Sequence, residues 1–241
     1  MEAQENVAVQ VAEQMADYLL TGAVSNALNT PSISAEEAPR LRPFVDLADK
    51  LGTMMGQLLR SPVKGIEITY KGAVTKLNTK PMSAAALSGL LKVAMPEVNM
   101  VSAPVLAKER GIAVTESYID EAERAESLIR LTVQTEERKF AIVGTIYRGV
   151  PRIVRIFGVQ MDAAFEPHMI YVRNEDKPGF IGELGGILGD AKVNIATFSL
   201  GRMKDVSEAV CLVSVDGEVP DGVVDKIKAI DQVKVVDVLS L

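Results

Sequence analysis

Asn174-Glu175-Asp176-Lys177-Pro178-Gly179-Phe180-Ile181 decides how the end of this chain is read. Before it, Met169–Arg173 alternates as a short strand. After it, Pro178–Ala191 has helical spacing with a proline in the first turn. Two more strands are expected at Val193–Leu200 and Ser207–Val215, joined by the polar turn Met203-Lys204-Asp205. A helix at Pro220–Ile230 and a strand at Gln232–Leu239 close the chain. The order is β-α-β-β-α-β, the ferredoxin-like split arrangement with both helices on one face of the sheet.

The quoted turn has the chemistry to hold an amino-acid zwitterion. Pro178 fixes a helix start, and the amides of Gly179, Phe180 and Ile181 offer an anion-receiving N-terminus to a carboxylate. Asp176 can accept from an ammonium group, while Asn174 and Asn194 can donate or accept. Gly179 leaves room for a ligand to approach the backbone. The same residues also make an ordinary helix cap, and on local chemistry alone capping comes first. Gly182, Gly185, Gly186 and Gly189 weaken the helix unless something must come close. Packing on the sheet or on another subunit is the simplest reason for them. No G-x-G-x-x-G opens the helix, so this is no dinucleotide fingerprint.

Upstream the rhythm differs. Residues 2–28 read as one helix, with Val7, Val11, Met15, Tyr18 and Leu19 at helical spacing and Gly22 where it weakens. It ends at the breaker cluster Asn29-Thr30-Pro31-Ser32. Nothing close behind it in sequence offers it a packing partner. A second helix is expected over Glu36–Leu59, capped by Ser34, with Phe44, Leu47, Leu51, Met54, Met55 and Leu58 as one apolar stripe. Lys64–Gly72 alternates as a strand. Helices follow at about Met82–Met95 and Ser102–Arg110, and then strands at Ser127–Gln134, Lys139–Tyr147 and Arg152–Phe157. Residues 31–165 therefore predict an α+β domain, helices grouped before a run of antiparallel strands.

Composition narrows the function. The chain has 241 residues, a net charge of −6 and 48% hydrophobic residues, so it carries no long-range attraction for nucleic acid. No apolar run approaches a membrane span, and the polar, acidic N-terminus is wrong for a signal peptide. One cysteine and one histidine rule out a His/Cys metal site in practice and an internal disulfide outright, and fit a cytoplasmic location. No catalytic constellation is evident. Cys211 reads as a buried core thiol, His168 as linker, and Arg202 as solvated charge. Arg148, Arg152 and Arg155, with Lys139 near them in sequence, could receive an anion, although basic residues on an exposed sheet edge are the plainer reading.

The N-E-D-K-P-G-F-I-G turn, the V-N-I-A that follows and the βαββαβ order resemble an ACT domain, the small-molecule sensor attached to many enzymes of amino-acid metabolism. N-V-A-V-Q-V-A-E-Q-M-A-D-Y-L-L-T-G-A-V-S-N-A-L-N and P-S-I-S-A-E-E-A-P-R-L-R-P-F resemble the C-terminal part of the long-form D-3-phosphoglycerate dehydrogenases. The likeness runs the length of the chain. It implies three parts: residues 1–30 as the closing helix of a nucleotide-binding region, 31–165 as an intervening domain, and 166–241 as the ACT domain.

The resemblance further implies a regulatory, self-associating piece of an NAD-dependent oxidoreductase of L-serine biosynthesis. L-serine would be its effector, and it would have no cofactor or catalytic residue of its own. The serine contacts carried over are Asn174, Asp176, the Gly179, Phe180 and Ile181 amides, and Asn194 from a neighbouring subunit. Some relatives have histidine or tyrosine at Asn174 and asparagine at Asp176. In relatives whose intervening domain binds an anion, basic residues match Val159 and Ala164, and of that set only Arg152 is basic here. A serine dehydratase β chain is the alternative enzyme reading, but its S-S-S-H-T segment is missing. A stand-alone amino-acid-binding module is the other, but it would not need the first helix.

Overall fold

The structure, a computed structural model, describes residues 2–21, 24, 33–34, 36–120, 127–203 and 207–241. Its first helix, α1, is Glu2–Thr21. Val24 pairs with Ile33 in an isolated antiparallel bridge, so Val24 is not part of the helix expected through residue 28. Gly22, residues 25–28 and the Asn29–Ser32 breaker lie outside the described residues, as do Lys204 and Asp205 of the polar turn.

Helix α2 is Ala38–Leu58, with Pro39 in its first turn. Ser34 prepares its entry: its Oγ accepts from the Glu37 amide at 3.2 Å and donates to the Glu37 carboxylate at 2.9 Å. Leu47, Ala48, Leu51, Met54, Met55 and Leu58 are buried on one face, as the apolar stripe requires. Strand β1 (Val63–Lys71), a 3-10 turn, and helices α3 (Lys80–Lys92) and α4 (Ala103–Glu109) follow. Helices α2 and α3 press together through Gly52 and Gly89. A Cβ at Gly52 would strike the Ala86 carbonyl, and one at Gly89 the Asp49 carbonyl.

Strand β2 (Ala113–Ile119) then pairs parallel with β1, making one β-α-β crossover. Strands β3 (Leu128–Thr135), β4 (Lys139–Tyr147), β5 (Val150–Ile156) and β6 (Val159–Ala164) complete a six-stranded sheet in the order β2-β1-β3-β4-β5-β6. The sheet is thus antiparallel except at β2. Sequence pattern missed β2 because almost every residue of that edge strand is exposed, so no burial alternation marks it. It missed β6 because Met161-Asp162-Ala163-Ala164 lacks the β-branched and aromatic residues that announce a strand.

The second sheet is β7 (His168–Glu175), β8 (Ile195–Arg202), β9 (Glu208–Val215) and β10 (Val233–Ser240), ordered β10-β7-β9-β8 and antiparallel throughout. Helices α5 (Phe180–Asp190) and α6 (Val223–Lys228) cover one face. That is the expected ferredoxin-like unit, with His168 as the first residue of a strand rather than linker. Alternation along β7 separates two cores. Ile170 and Val172 join Phe180, Leu184, Leu188, Cys211 and Ile227 under the helices. Met169 and Tyr171 join Val210, Leu212 and Leu239 in a second cluster that runs on into α2, α3 and the large sheet.

Side chains tie α2 to the β10 edge. The Gln57 carboxamide donates to the Ser240 carbonyl at 2.6 Å and accepts from the Ser240 amide at 3.0 Å, as a neighbouring strand would. Arg60 is paired with the buried Asp237. The edges of β6 and β8 also meet: Ser199 Oγ donates to the Asp162 carbonyl at 2.9 Å, and a Cβ at Gly201 would collide with the Gln160 carbonyl.

Candidate functional site

The turn between β7 and α5 is built around a buried amide. Asn174 lies on the helix-covered face, 2% exposed, and its Nδ2 donates to the Glu175 carbonyl at 2.7 Å. Its Oδ1 is buried without a hydrogen-bond partner among the described residues, and so is Gln232 Oε1 at the foot of β10. Register places the two close, because Val233 pairs with Asn174 and the Glu175 amide donates to the Gln232 carbonyl at 2.8 Å. A buried carbonyl with no donor costs about 1–3 kcal/mol, so two at one turn invite a donor from outside.

Gly179 holds φ +102, a backbone region L-residues avoid, and no side chain caps α5. The first-turn amides of α5 therefore have no side-chain acceptor. Asp176, the residue best placed by sequence to cap, gives its carboxylate to Arg202 Nε at 2.9 Å. Arg202 stays exposed to solvent, as expected, while carrying this ion pair. Around this end of the sheet, Glu175 pairs with Lys177 at 2.5 Å and Glu208 with Lys234 at 2.6 Å. Lys177 holds the Glu175 carboxyl below the ordinary glutamate range, and Lys234 does the same for Glu208. The Lys177 ammonium is raised in return.

Asn194 stands elsewhere. Its Nδ2 donates to the Asp216 carboxylate at 2.6 Å, at the start of β8. Glu175 pairs with Glu208, whereas Ile195 pairs with Val215, so the two ends of β9 separate these groups. Seven residues of strand rise make that separation roughly 23 Å. Within one chain Asn174 and Asp176 share a turn, and Asn194 does not join them.

The three arginines divide between a turn and a strand, with Arg152 and Arg155 both on β5. Arg148 sits in the β4–β5 turn at φ +52 with its guanidinium over the Tyr147 ring. Arg152 pairs with Asp162 at 2.5 Å across to β6. Lys139 begins β4 whereas Arg148 follows its end, so sequence proximity did not bring them together. Cys211 is buried, and desolvation pushes its thiol up to about 12. Among the described residues no group of three His, Cys, Asp or Glu side chains could hold a metal, and no helix is long and apolar enough to cross a membrane.

Sequence reading did not find Gln232, nor the half-buried Arg173, whose Nε is buried with no hydrogen-bond partner and lies 3.8 Å from Glu208. A signal for Arg173 was present. Met169 and Tyr171 are apolar at the alternate positions of β7, so the second face of this strand had to be covered as well.

Comparison with known proteins agrees with this architecture. Residues 40–157 match the family described as the D-3-phosphoglycerate dehydrogenase intervening domain, and residues 168–232 match the ACT domain family. The chain joins a D-3-phosphoglycerate dehydrogenase intervening domain to an ACT domain. It is 35% identical over its whole length to a D-3-phosphoglycerate dehydrogenase of Methanocaldococcus jannaschii, and 33% identical to one of Bacillus subtilis. It spans just under half of each, 46%, and aligns with their C-terminal region. Of solved structures, the ACT domain from GTP pyrophosphokinase of Chlorobium tepidum is 25% identical over 30% of this chain and 95% of its own, with a TM-score of 0.26.

Proposed function

We propose that this chain is the regulatory and self-associating part of an NAD-dependent D-3-phosphoglycerate dehydrogenase, the oxidoreductase that opens L-serine biosynthesis. Residues 1–30, 31–165 and 166–241 would be its closing helix, intervening domain and ACT domain, and L-serine would be the effector. One observation carries the reading: the buried, unpartnered Oδ1 of Asn174, set at a turn whose following helix has no side-chain cap. An ammonium or hydroxyl supplies the missing donor, and the α5 amides receive a carboxylate. Asp176, whose carboxylate is paired with Arg202, would have to share it with the ammonium. Asn194, roughly 23 Å away in the same chain, completes the site only if a second copy brings its own. The ligand would then favour one arrangement of subunits and act on a distant active site by linkage.

Helix α1 fits the same reading. Val7, Met15, Tyr18 and Leu19 are exposed along it, an apolar stripe that needs a neighbour. NAD does not belong to these residues. Among the described residues the one parallel crossover begins Gly72-Ala73-Val74-Thr75-Lys76-Leu77-Asn78-Thr79, with a single glycine where a dinucleotide needs three. Cofactor and catalysis are left to the nucleotide-binding region.

Calorimetric titration with L-serine, glycine and 3-phosphoglycerate tests the proposal. L-Serine is expected to bind a dimer, and Asn174→Ala to weaken it at least tenfold. A dimer that binds none of the three at millimolar concentration, or a strict monomer by sedimentation, overturns it.

A further inference from the structure

On the side of the ACT sheet away from its helices, a cleft of about 330 Å³ opens between the two domains. Its lining mixes three cations with three rings: Arg138 from the β3–β4 turn, Lys139 and Phe140 from the start of β4, Phe157 just after β5, and Tyr171 and Arg173 from β7. We propose that this cleft binds a small organic anion, a carboxylate or phosphate ester on an apolar body, and that the ligand bridges the intervening and ACT domains.

The polar half of the argument is an imbalance of charge. Among the described residues, neither Arg138 nor Lys139 has a carboxylate partner. Arg173 has Glu208 at 3.8 Å, beyond hydrogen-bond reach, while Glu208 itself is bonded to Lys234 at 2.6 Å. The Arg173 Nε is buried and unsatisfied, and a guanidinium in that state calls for an acceptor. Arg138 is held over the Phe140 ring at 4.5 Å, which fixes its position and leaves its edge donors for a ligand. The Tyr171 phenol is within electrostatic reach of both guanidiniums, which work against the burial that pushes its pKa up to about 12.

The apolar half follows from the rings. Phe157 stands edge-on to both Phe140, at 5.2 Å between centroids, and Tyr171, at 6.0 Å. They form a wall on which an apolar body rests while its head group meets the cations. A bare inorganic ion would leave that wall unused. The cleft is also separate from the Asn174 turn, because Asn174 and Arg173 point to opposite faces of one strand. This inference therefore stands whether or not L-serine binds.

The test is calorimetry on the whole chain with phenyl phosphate, benzoate, inorganic phosphate and benzyl alcohol at fixed ionic strength. At least one of the two organic anions is expected to bind tenfold or more tightly than inorganic phosphate or benzyl alcohol. The stronger of the two identifies the head group. Combining Arg138→Gln with Lys139→Gln, both exposed side chains, should lower that affinity at least tenfold without moving the melting temperature. Saturating L-serine should not displace the ligand. The proposal is overturned if neither organic anion binds, if inorganic phosphate binds as tightly, if the double variant binds normally, or if L-serine competes.

Discussion

The two faces of the ACT sheet solve different problems with the same strand. Under α5 and α6, Ile170 and Val172 fill a core that belongs to the ACT domain alone. On the reverse, Met169 and Tyr171 belong to a core continued by α2, α3 and the large sheet. Each face ends in a polar group with an unsatisfied atom, Asn174 Oδ1 on one and Arg173 Nε on the other. One is an acceptor and the other a donor. The period-two geometry of a strand thus allows adjacent residues to address ligands of opposite character.

The sharpest way to test this division is to empty each face in turn. Tyr171→Ala on the shared face and Leu184→Ala under the helices each remove a buried side chain, at a cost of about 2–5 kcal/mol. Tyr171→Ala is expected to lower protection from hydrogen exchange in both sheets, Leu184→Ala in the ACT sheet only. Equal loss in both sheets from Leu184→Ala would show that the faces are not independent.

Gln57→Ala comes next. It removes two hydrogen bonds to Ser240 without touching either core, and should cost about 1–2 kcal/mol in chemical denaturation. Its amide protection should fall at the end of β10, next to α2. No loss there would mean that the Gln57 pair adds nothing to the shared apolar face and the other polar ties between the domains.

The smallest effect is the pH response of Glu208, whose carboxyl is depressed chiefly by Lys234. A depressed folded-state pKa contributes stability at pH above the unfolded glutamate value, and this is lost as pH falls through the lower, folded value. For a surface pair the contribution stays below about 1 kcal/mol and shrinks with salt. Glu208→Gln should flatten the acid limb of a stability–pH profile slightly at low ionic strength. An unchanged acid limb would assign that loss to other carboxylates.

Much of this was legible in residues. The Pro178–Gly179 turn, the βαββαβ order and the apolar stripe of α2 announce themselves because each is a local pattern with a local cause. Strand β2 was hidden because its partner β1 lies across two helices, and an exposed edge leaves no alternation. The candidate site divided in the same way. Asn174 and Asp176 are neighbours in sequence and in space, but the pairing of Asp176 with Arg202 and the distance to Asn194 depend on how β8 and β9 register. The cleft was least legible of all. Arg138 and Arg173 are far apart in the chain, and only the packing of one domain on the other brings them together.

Helix α5 has one more consequence. Added methyl groups at Gly182, Gly185, Gly186 and Gly189 would each meet nothing within 4 Å, so close packing on this chain's own sheet does not explain them. Each gives up roughly 1 kcal/mol of helix stability relative to alanine. Only Phe180, Leu184 and Leu188 are fully buried to hold α5 down. With so few anchors, α5 is expected to open more readily than the sheet beneath it. A ligand seated at its first turn binds only the closed form and makes those openings rarer. Occupancy of the turn would then be written in the lifetime of a helix, with no atom of the sheet having to move.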